Sequence, residues 1–406
     1  MSPLSSNPDP LSTNHTHVSP VGEAPSQGND PGGSPIELVK VLHLINGEYF
    51  SGAERVQDLL AQAMPQFGYE VGFACVKPEK FPEVRESKSE LFETRMYSKF
   101  DIFCAGRVAK VFRANQFKML HAHTPRTLMI GALAARRLGC PLVYHVHSPV
   151  GRDSERGFAN RINTMIESWS LKRVDRMICV SNSLSNYMAE LGHSPEKIRV
   201  VCNGVAAIPD LPERSAPTEP WTIGTMALFR PRKGTEVLLD ALAILKSKSI
   251  NVRLRAVGPF ETPEYEKEIL ERVSQLGIGD MIDWTGFQTD VNEQLRKMDL
   301  FVLPSLYGEG LPMVVLEAMA NAVPVVASRV EGIPEAVRDE LDGRIFEPAN
   351  ADDLAEKLME LIGDQKRWSA MSKSSLQRQR DELSDLSMTR GVAQIYDELL
   401  CKQKNA

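Results

Sequence analysis

The chain has 406 residues, 42% of them hydrophobic and 25% charged, with a formal net charge of -6 at pH 7. That length predicts two domains, and the negative balance excludes a broadly basic nucleic-acid-binding protein. No run of about 18 apolar residues occurs, so no membrane-spanning helix is expected, and six scattered cysteines without a C-x-x-C pair argue against a disulfide framework and for a reducing, cytoplasmic compartment.

Residues 1–35 are rich in Pro, Ser, Asn and Gly and lack Lys and Arg, a composition expected of a disordered tail and not of a secretory signal. The apolar run at 38–45 predicts a buried strand, followed by a loop containing Gly47 and Gly52 and a helix over 53–64. Strand, Gly-bearing loop and helix open a Rossmann-like unit, yet the G-x-G-x-x-G fingerprint of dinucleotide binding is absent. Strand and helix patterns then alternate: strands at 70–76, 119–123, 141–147 and 176–180, helices at 128–138 and 159–174. Such alternation argues for a parallel sheet covered by helices on both faces. His147 ends one strand, at the edge where open α/β sheets bind ligands. His121 and His123, with Arg126 two residues beyond Thr124, form a second polar patch; a zinc site there lacks an evident third ligand.

A Pro- and charge-rich stretch at 208–220 reads as the interdomain linker, and a strand over 221–227 begins a second alternating unit. Arg230, Arg232 and Lys233, beside Gly234 and ahead of a helix over 236–247, suit a diphosphate: arginine offers a fork and lysine a point charge. Whether Arg230 or Arg232 partners Lys233 is open, with a small preference for Arg230. After strands at 252–257 and 282–287 comes an apolar strand at 300–304, then a Gly-rich turn and a helix-forming segment to 320. Two carboxylates bracket that turn, Glu309 and Glu317. A carboxylate facing a helix start repels phosphate, so Glu309 is expected to accept hydrogen bonds from sugar hydroxyls and Glu317 from a ribose.

The segment 305–320, SLYGEGLPMVVLEAMA, resembles the E-x7-E signature of retaining glycosyltransferases, in particular glycosyltransferase family 4, and further blocks match from about residue 39 to 354. Leu311-Pro312 replace the Phe-Gly of many members, Ser51 replaces the first Gly of a Gly-Gly-Ala-Glu loop, and Leu228 stands where many members place an arginine. The resemblance implies the GT-B arrangement, an α/β fold of two Rossmann-like domains facing across a cleft. It assigns His147, Glu309, Lys233 and Arg230 to catalysis, and Arg230, Arg232, Lys233, Gly310, Leu311, Pro312, Met313, Glu317 and Phe287 to a nucleoside-diphosphate sugar donor. Gly52, His123 and Arg126 fall on the acceptor side. No metal and no cofactor are implied.

The expected division is an acceptor domain over 36–212, a donor domain over 213–385, and a helix over 386–406 that returns to the first domain. The reading is a retaining hexosyltransferase acting on a glycan or lipid-linked acceptor in cell-envelope polysaccharide assembly. A GT-B epimerase or hydrolase, and a non-catalytic nucleotide-sugar-binding subunit, are the competing readings. Cations outnumber acids in the first domain, and Arg107, Lys110, Arg113 and Lys118, interleaved with Val108, Val111, Phe112 and Phe117, are compatible with a helix lying on an anionic inner membrane face. An ordinary solvated helix with a buried apolar side is the alternative.

Overall fold

The computed structural model describes residues 37–98, 101–148 and 168–404. The tail at 1–35 and most of the helix expected at 159–174 lie outside them. The first sheet comprises β1 (Val39–Ile45), β2 (Tyr69–Cys75), β3 (Leu91–Glu93), β4 (Met119–Ala122), β5 (Leu142–Val146), β6 (Arg176–Cys179) and β7 (Ile198–Val200). Their order is β3-β2-β1-β4-β5-β6-β7. The second sheet comprises β8 (Trp221–Met226), β9 (Val252–Val257), β10 (Ile282–Gly286), β11 (Leu300–Leu303), β12 (Val325–Ser328) and β13 (Gly343–Phe346), ordered β10-β9-β8-β11-β12-β13.

Every strand pairing in both sheets is parallel. Parallel strands need crossovers and are covered on both faces, which is why β4, β5 and β11 are buried along their whole length. In each sheet the strand order reverses once, between β1 and β4 and between β8 and β11, and ligands bind outside the carboxyl ends at such a reversal. The loops singled out in the sequence, those after β1, β4, β8 and β11, flank these two points.

The helix Asp385–Lys404 packs against the helix Gly52–Ala63 of the first domain. Its Val392, Ile395, Tyr396 and Leu399 are buried in the same core as Val41 and Leu42. The crossing is tight: a Cβ on Gly204 would lie 2.1 Å from the Ser384 carbonyl oxygen, and Val205 and Asp385 exchange backbone hydrogen bonds with the opposing segment.

The basic stretch forms the helix Cys104–Ala114, but Val108, Phe112 and Phe117 are buried in the first core and Val111 is half-buried. These apolar residues therefore face the protein and cannot supply a membrane face, because the helix must cover its sheet. The exposed apolar side chains are instead Tyr97, Ile102 and Phe103, at the start of that helix.

Candidate active site

The turn after β11 carries Glu309, which is 95% covered by its surroundings yet ionically engaged: Lys233 forms an ion pair with its Oε1, Ser305 Oγ donates to the same oxygen at 2.6 Å, and Arg232 Nη1 stands 3.7 Å away. The turn after β8 is laced to the turn after β11. Leu306 N donates to the Arg232 carbonyl at 2.8 Å, and Arg232 Nη1 donates to the Gly308 carbonyl at 3.2 Å. Gly234 sits at φ 64°, and a Cβ there would meet the Pro304 carbonyl oxygen at 2.1 Å, so no other residue fits both the backbone and the space. Burial pulls the Lys233 ammonium below the usual lysine range, with Glu309 opposing that shift and Arg232 and Arg230 adding to it. For the diphosphate, the sequence slightly preferred Arg230 over Arg232 as the arginine acting with Lys233. In the fold Arg230 donates to Glu261 at 3.2 Å, and Arg232 is the arginine against Glu309.

Pro312 caps the helix Met313–Ala320. Glu317, within it, is buried and forms an ion pair with Arg55 of the first domain; burial raises its carboxyl above the usual range against the pull of Arg55. The first domain closes on the same turn. A Cβ on Gly310 would lie 2.1 Å from the His147 carbonyl oxygen and 3.1 Å from Val180, and one on Gly52 would touch Met313 at 3.5 Å. Asn203 Nδ2 donates to the Leu311 carbonyl at 2.9 Å. Glu335 accepts from the backbone N–H groups of Asn182 and Ser183, at the start of the helix Asn182–Glu190. A cavity of about 250 Å³ borders this junction, lined in part by Ser181, Tyr187, Gly310 and Glu331.

His147 ends a cluster of five histidines. The parallel register sets His43 of β1 beside His121 of β4, and His123 and His145 extend the cluster toward His147. The His145 and His147 rings stack at 4.3 Å between centroids, on the same face because they stand two residues apart at the end of β5. His123 approaches His147 at 3.2 Å (Nδ1 to Nε2) and His43 at 3.1 Å (Nε2 to Nδ1). Tyr396 Oη, from the C-terminal helix, lies 3.0 Å from His43 Nε2 and 2.6 Å from His121 Nδ1. Burial lowers the pKa of His43 to about 3 and of His147 to about 4, and holds His121, His123 and His145 well below the usual histidine range. All five are neutral at pH 7. Third imidazoles near His121 and His123 thus exist, contrary to the sequence reading, because β1 and β5 flank β4: His43, His121 and His123, and likewise His123, His145 and His147, bring ring nitrogens within 4.8 Å of one another.

Arg126 ion-pairs with Glu48 of the loop after β1 at 3.5 Å, and Phe287, just beyond β10, is 74% exposed. Sequence reasoning missed His43, Arg55, Ser305, Glu335 and Tyr396. Ser305 stood within the recognised turn; the others carry no local signal.

A family model described as "Glycosyltransferase Family 4" matches residues 50–207, and one described as "Glycosyl transferases group 1" matches residues 209–378. Among curated proteins, the chain is 23% identical over 371 residues to the UDP-Gal:alpha-D-GlcNAc-diphosphoundecaprenol alpha-1,3-galactosyltransferase of Escherichia coli, covering 83% of this chain and 91% of that protein. It is 28% identical over 312 residues to the MMP alpha-(1->4)-mannosyltransferase of Mycolicibacterium hassiacum, covering 73% and 74%. Among solved structures, Anabaena HepE in complex with UDP-glucose superposes with a TM-score of 0.74 at 22% identity, over 89% of this chain and 100% of that one. With two parallel-sheet domains, a Gly-Glu-Gly turn at the second switch point and family models spanning both halves, the chain belongs to glycosyltransferase family 4 and has the GT-B fold.

Proposed function

We propose that this glycosyltransferase moves a hexose from a nucleoside-diphosphate sugar to a hydroxyl of a glycan or lipid-linked acceptor in cell-envelope polysaccharide assembly, with retention at the anomeric carbon and without a metal. The observation that carries this reading is the convergence of Lys233 and Arg232 on Glu309, with the Glu309-Gly310 turn pressed against His147. Lys233, an arginine and the start of the helix Met313–Ala320 supply the positive charge that a departing diphosphate needs, the task a metal performs in other enzymes. Glu309 and His147 then face the sugar, Glu317 the ribose, and Phe287 the base. Gly52, His123 and Arg126 belong to the acceptor side, and the domain boundaries read from the sequence serve as the proposed division of labour.

HepE is described with UDP and UDP-glucose, and the Escherichia coli relative by its name uses UDP-galactose and a diphosphoundecaprenol-linked acceptor, both consistent with this assignment. Peripheral contact with an anionic membrane falls to the exposed Tyr97, Ile102 and Phe103 and to the exposed cations Lys110, Arg113 and Lys118 that follow them in the chain. Thermal shift against a panel of nucleotide-sugars, each compared with its free nucleoside diphosphate, identifies the donor. Product NMR then reads the anomeric configuration, and activity after chelator treatment tests metal independence. An inverted product, or activity abolished by chelator and restored by a divalent cation, overturns the corresponding part of the reading.

A further inference from the structure

Four histidines and one tyrosine form an unbroken chain of polar contacts from the sealed interior to the candidate site. Beginning inside, the links are His121 Nδ1 to Tyr396 Oη (2.6 Å), Tyr396 Oη to His43 Nε2 (3.0 Å), His43 Nδ1 to His123 Nε2 (3.1 Å), and His123 Nδ1 to His147 Nε2 (3.2 Å). A neutral imidazole has one N–H and one lone pair, and a tyrosine hydroxyl has one proton to give. If every link is a hydrogen bond and the Tyr396 proton makes one of them, choosing the direction of one link sets all the others, and two protonation patterns satisfy the whole chain. A third, in which Tyr396 accepts from both His121 and His43, leaves the buried Tyr396 O–H without an acceptor.

The two patterns differ at their ends, where His121 Nε2 and His147 Nδ1 are both buried without a partner among the described residues. In one pattern the unpaired N–H belongs to His121, a residue with no solvent exposure; in the other it belongs to His147, the one partly exposed member of the chain. Each pattern thus leaves one buried N–H unpaired, a costly arrangement, and only at His147, the partly exposed residue at the candidate site, can a bound ligand supply the missing acceptor. We propose that Tyr396, through His43 and His123, fixes His147 as its Nδ1–H tautomer, leaving that N–H to donate to an oxygen of the bound sugar. His121 Nδ1–H donates to Tyr396, Tyr396 O–H to His43 Nε2, His43 Nδ1–H to His123 Nε2, and His123 Nδ1–H to His147 Nε2. His145 has no side-chain hydrogen bond among the described residues and acts by stacking between His121 and His147, holding their ring planes. Tyr396 is thus a positioning residue, and docking of the C-terminal helix is a condition for the correct His147 tautomer.

The inference rests on the proposed function only for what His147 serves, and its test needs no substrate. Nitrogen chemical shifts of the 15N-histidine-labelled, ligand-free full chain at pH 7.5 distinguish Nδ1–H from Nε2–H in each neutral ring. The expected result is Nδ1–H at His147, with the Nδ1–H to Nε2–H ratio falling roughly fivefold in Tyr396→Phe, the equivalent of one neutral hydrogen bond. Tyr69→Phe is the control, since Tyr69 donates to Asp397 of the same helix at 2.5 Å but stands outside the chain; it should leave His147 unchanged. An Nε2–H tautomer in the wild type overturns the proposal even if the Tyr396 variant does not fold. So does an unchanged ratio in Tyr396→Phe, an equal change in Tyr69→Phe, or a stoichiometric cation found by elemental analysis of the purified protein. A failed donor panel, by contrast, removes the sugar assignment and leaves the tautomer result standing.

Discussion

In the ligand-free protein, Lys233 is held by Glu309, so the same ammonium that is proposed to meet the diphosphate is already ion-paired with the proposed sugar ligand. The side chains of both are largely covered, at 16% and 7% exposure, so the pair is little screened by solvent. Lys233→Ala removes one charge-assisted contact to phosphate, about 1.5 to 3 kcal/mol, or roughly ten- to a hundredfold in affinity, and the loss should be the same for donor and free nucleoside diphosphate. Glu309→Ala behaves differently. It releases Lys233 from its partner and removes the carboxylate beside Arg232, so free nucleoside diphosphate should bind as well as or better than to wild type while the sugar-bearing donor binds worse. Isothermal calorimetry of both ligands against wild type, Lys233→Ala, Glu309→Ala and the double variant measures the coupling. Unchanged nucleoside diphosphate affinity in Lys233→Ala, or equal losses for both ligands in Glu309→Ala, refutes the division of roles. Arg232→Ala should weaken nucleoside diphosphate more than Arg230→Ala, since Arg230 is held by Glu261 and Arg232 by the turn itself.

The buried histidines make a pH prediction with a definite sign: their folded pKa values lie below the unfolded value of 6.5, reaching about 3 for His43. The unfolded chain therefore binds more protons as pH falls through 6.5, and stability present above that pH is lost below it, by about 1 kcal/mol per such histidine at pH 5.5. Denaturant midpoints at pH 7.5 and 5.5 should differ accordingly, and equal midpoints would mean that the cluster is not neutral in the folded protein. Ile395→Ala truncates a side chain that is 3% exposed in the docked C-terminal helix and should cost about 2 to 5 kcal/mol; an unchanged melting temperature would show that the helix is not docked. For the membrane, the protein should sediment with anionic but not zwitterionic vesicles at low salt, each basic residue near the surface contributing about 1 kcal/mol. Neutralising Lys110, Arg113 and Lys118 together should release it, and binding indifferent to lipid charge and salt would remove this surface from consideration.

The alternation of apolar runs with helix-forming segments, and the turns rich in Gly and Pro, are local properties, so the two parallel-sheet domains and the turns holding Glu309, Lys233 and Gly52 were legible in the amino-acid sequence. The short strands β3, β7, β12 and β13 were not named, since segments of three or four residues, most of them interrupted by a charged residue, are too short to show a strand period. The apolar residues of the basic helix could be read as facing lipid or core, and only the sheet beneath them decided for core. Which arginine stands against Glu309 likewise depended on backbone geometry: Arg230 and Arg232 are two residues apart in a tight turn, and the fold sends them to different carboxylates. His43 and Tyr396 are separated by 353 residues and meet only because a helix from beyond the second domain returns to a sheet built at the start of the first. Strand register and helix docking are global properties, set by which apolar faces must be covered; the protonation of His147 is therefore argued from contacts that no stretch of the chain contains by itself.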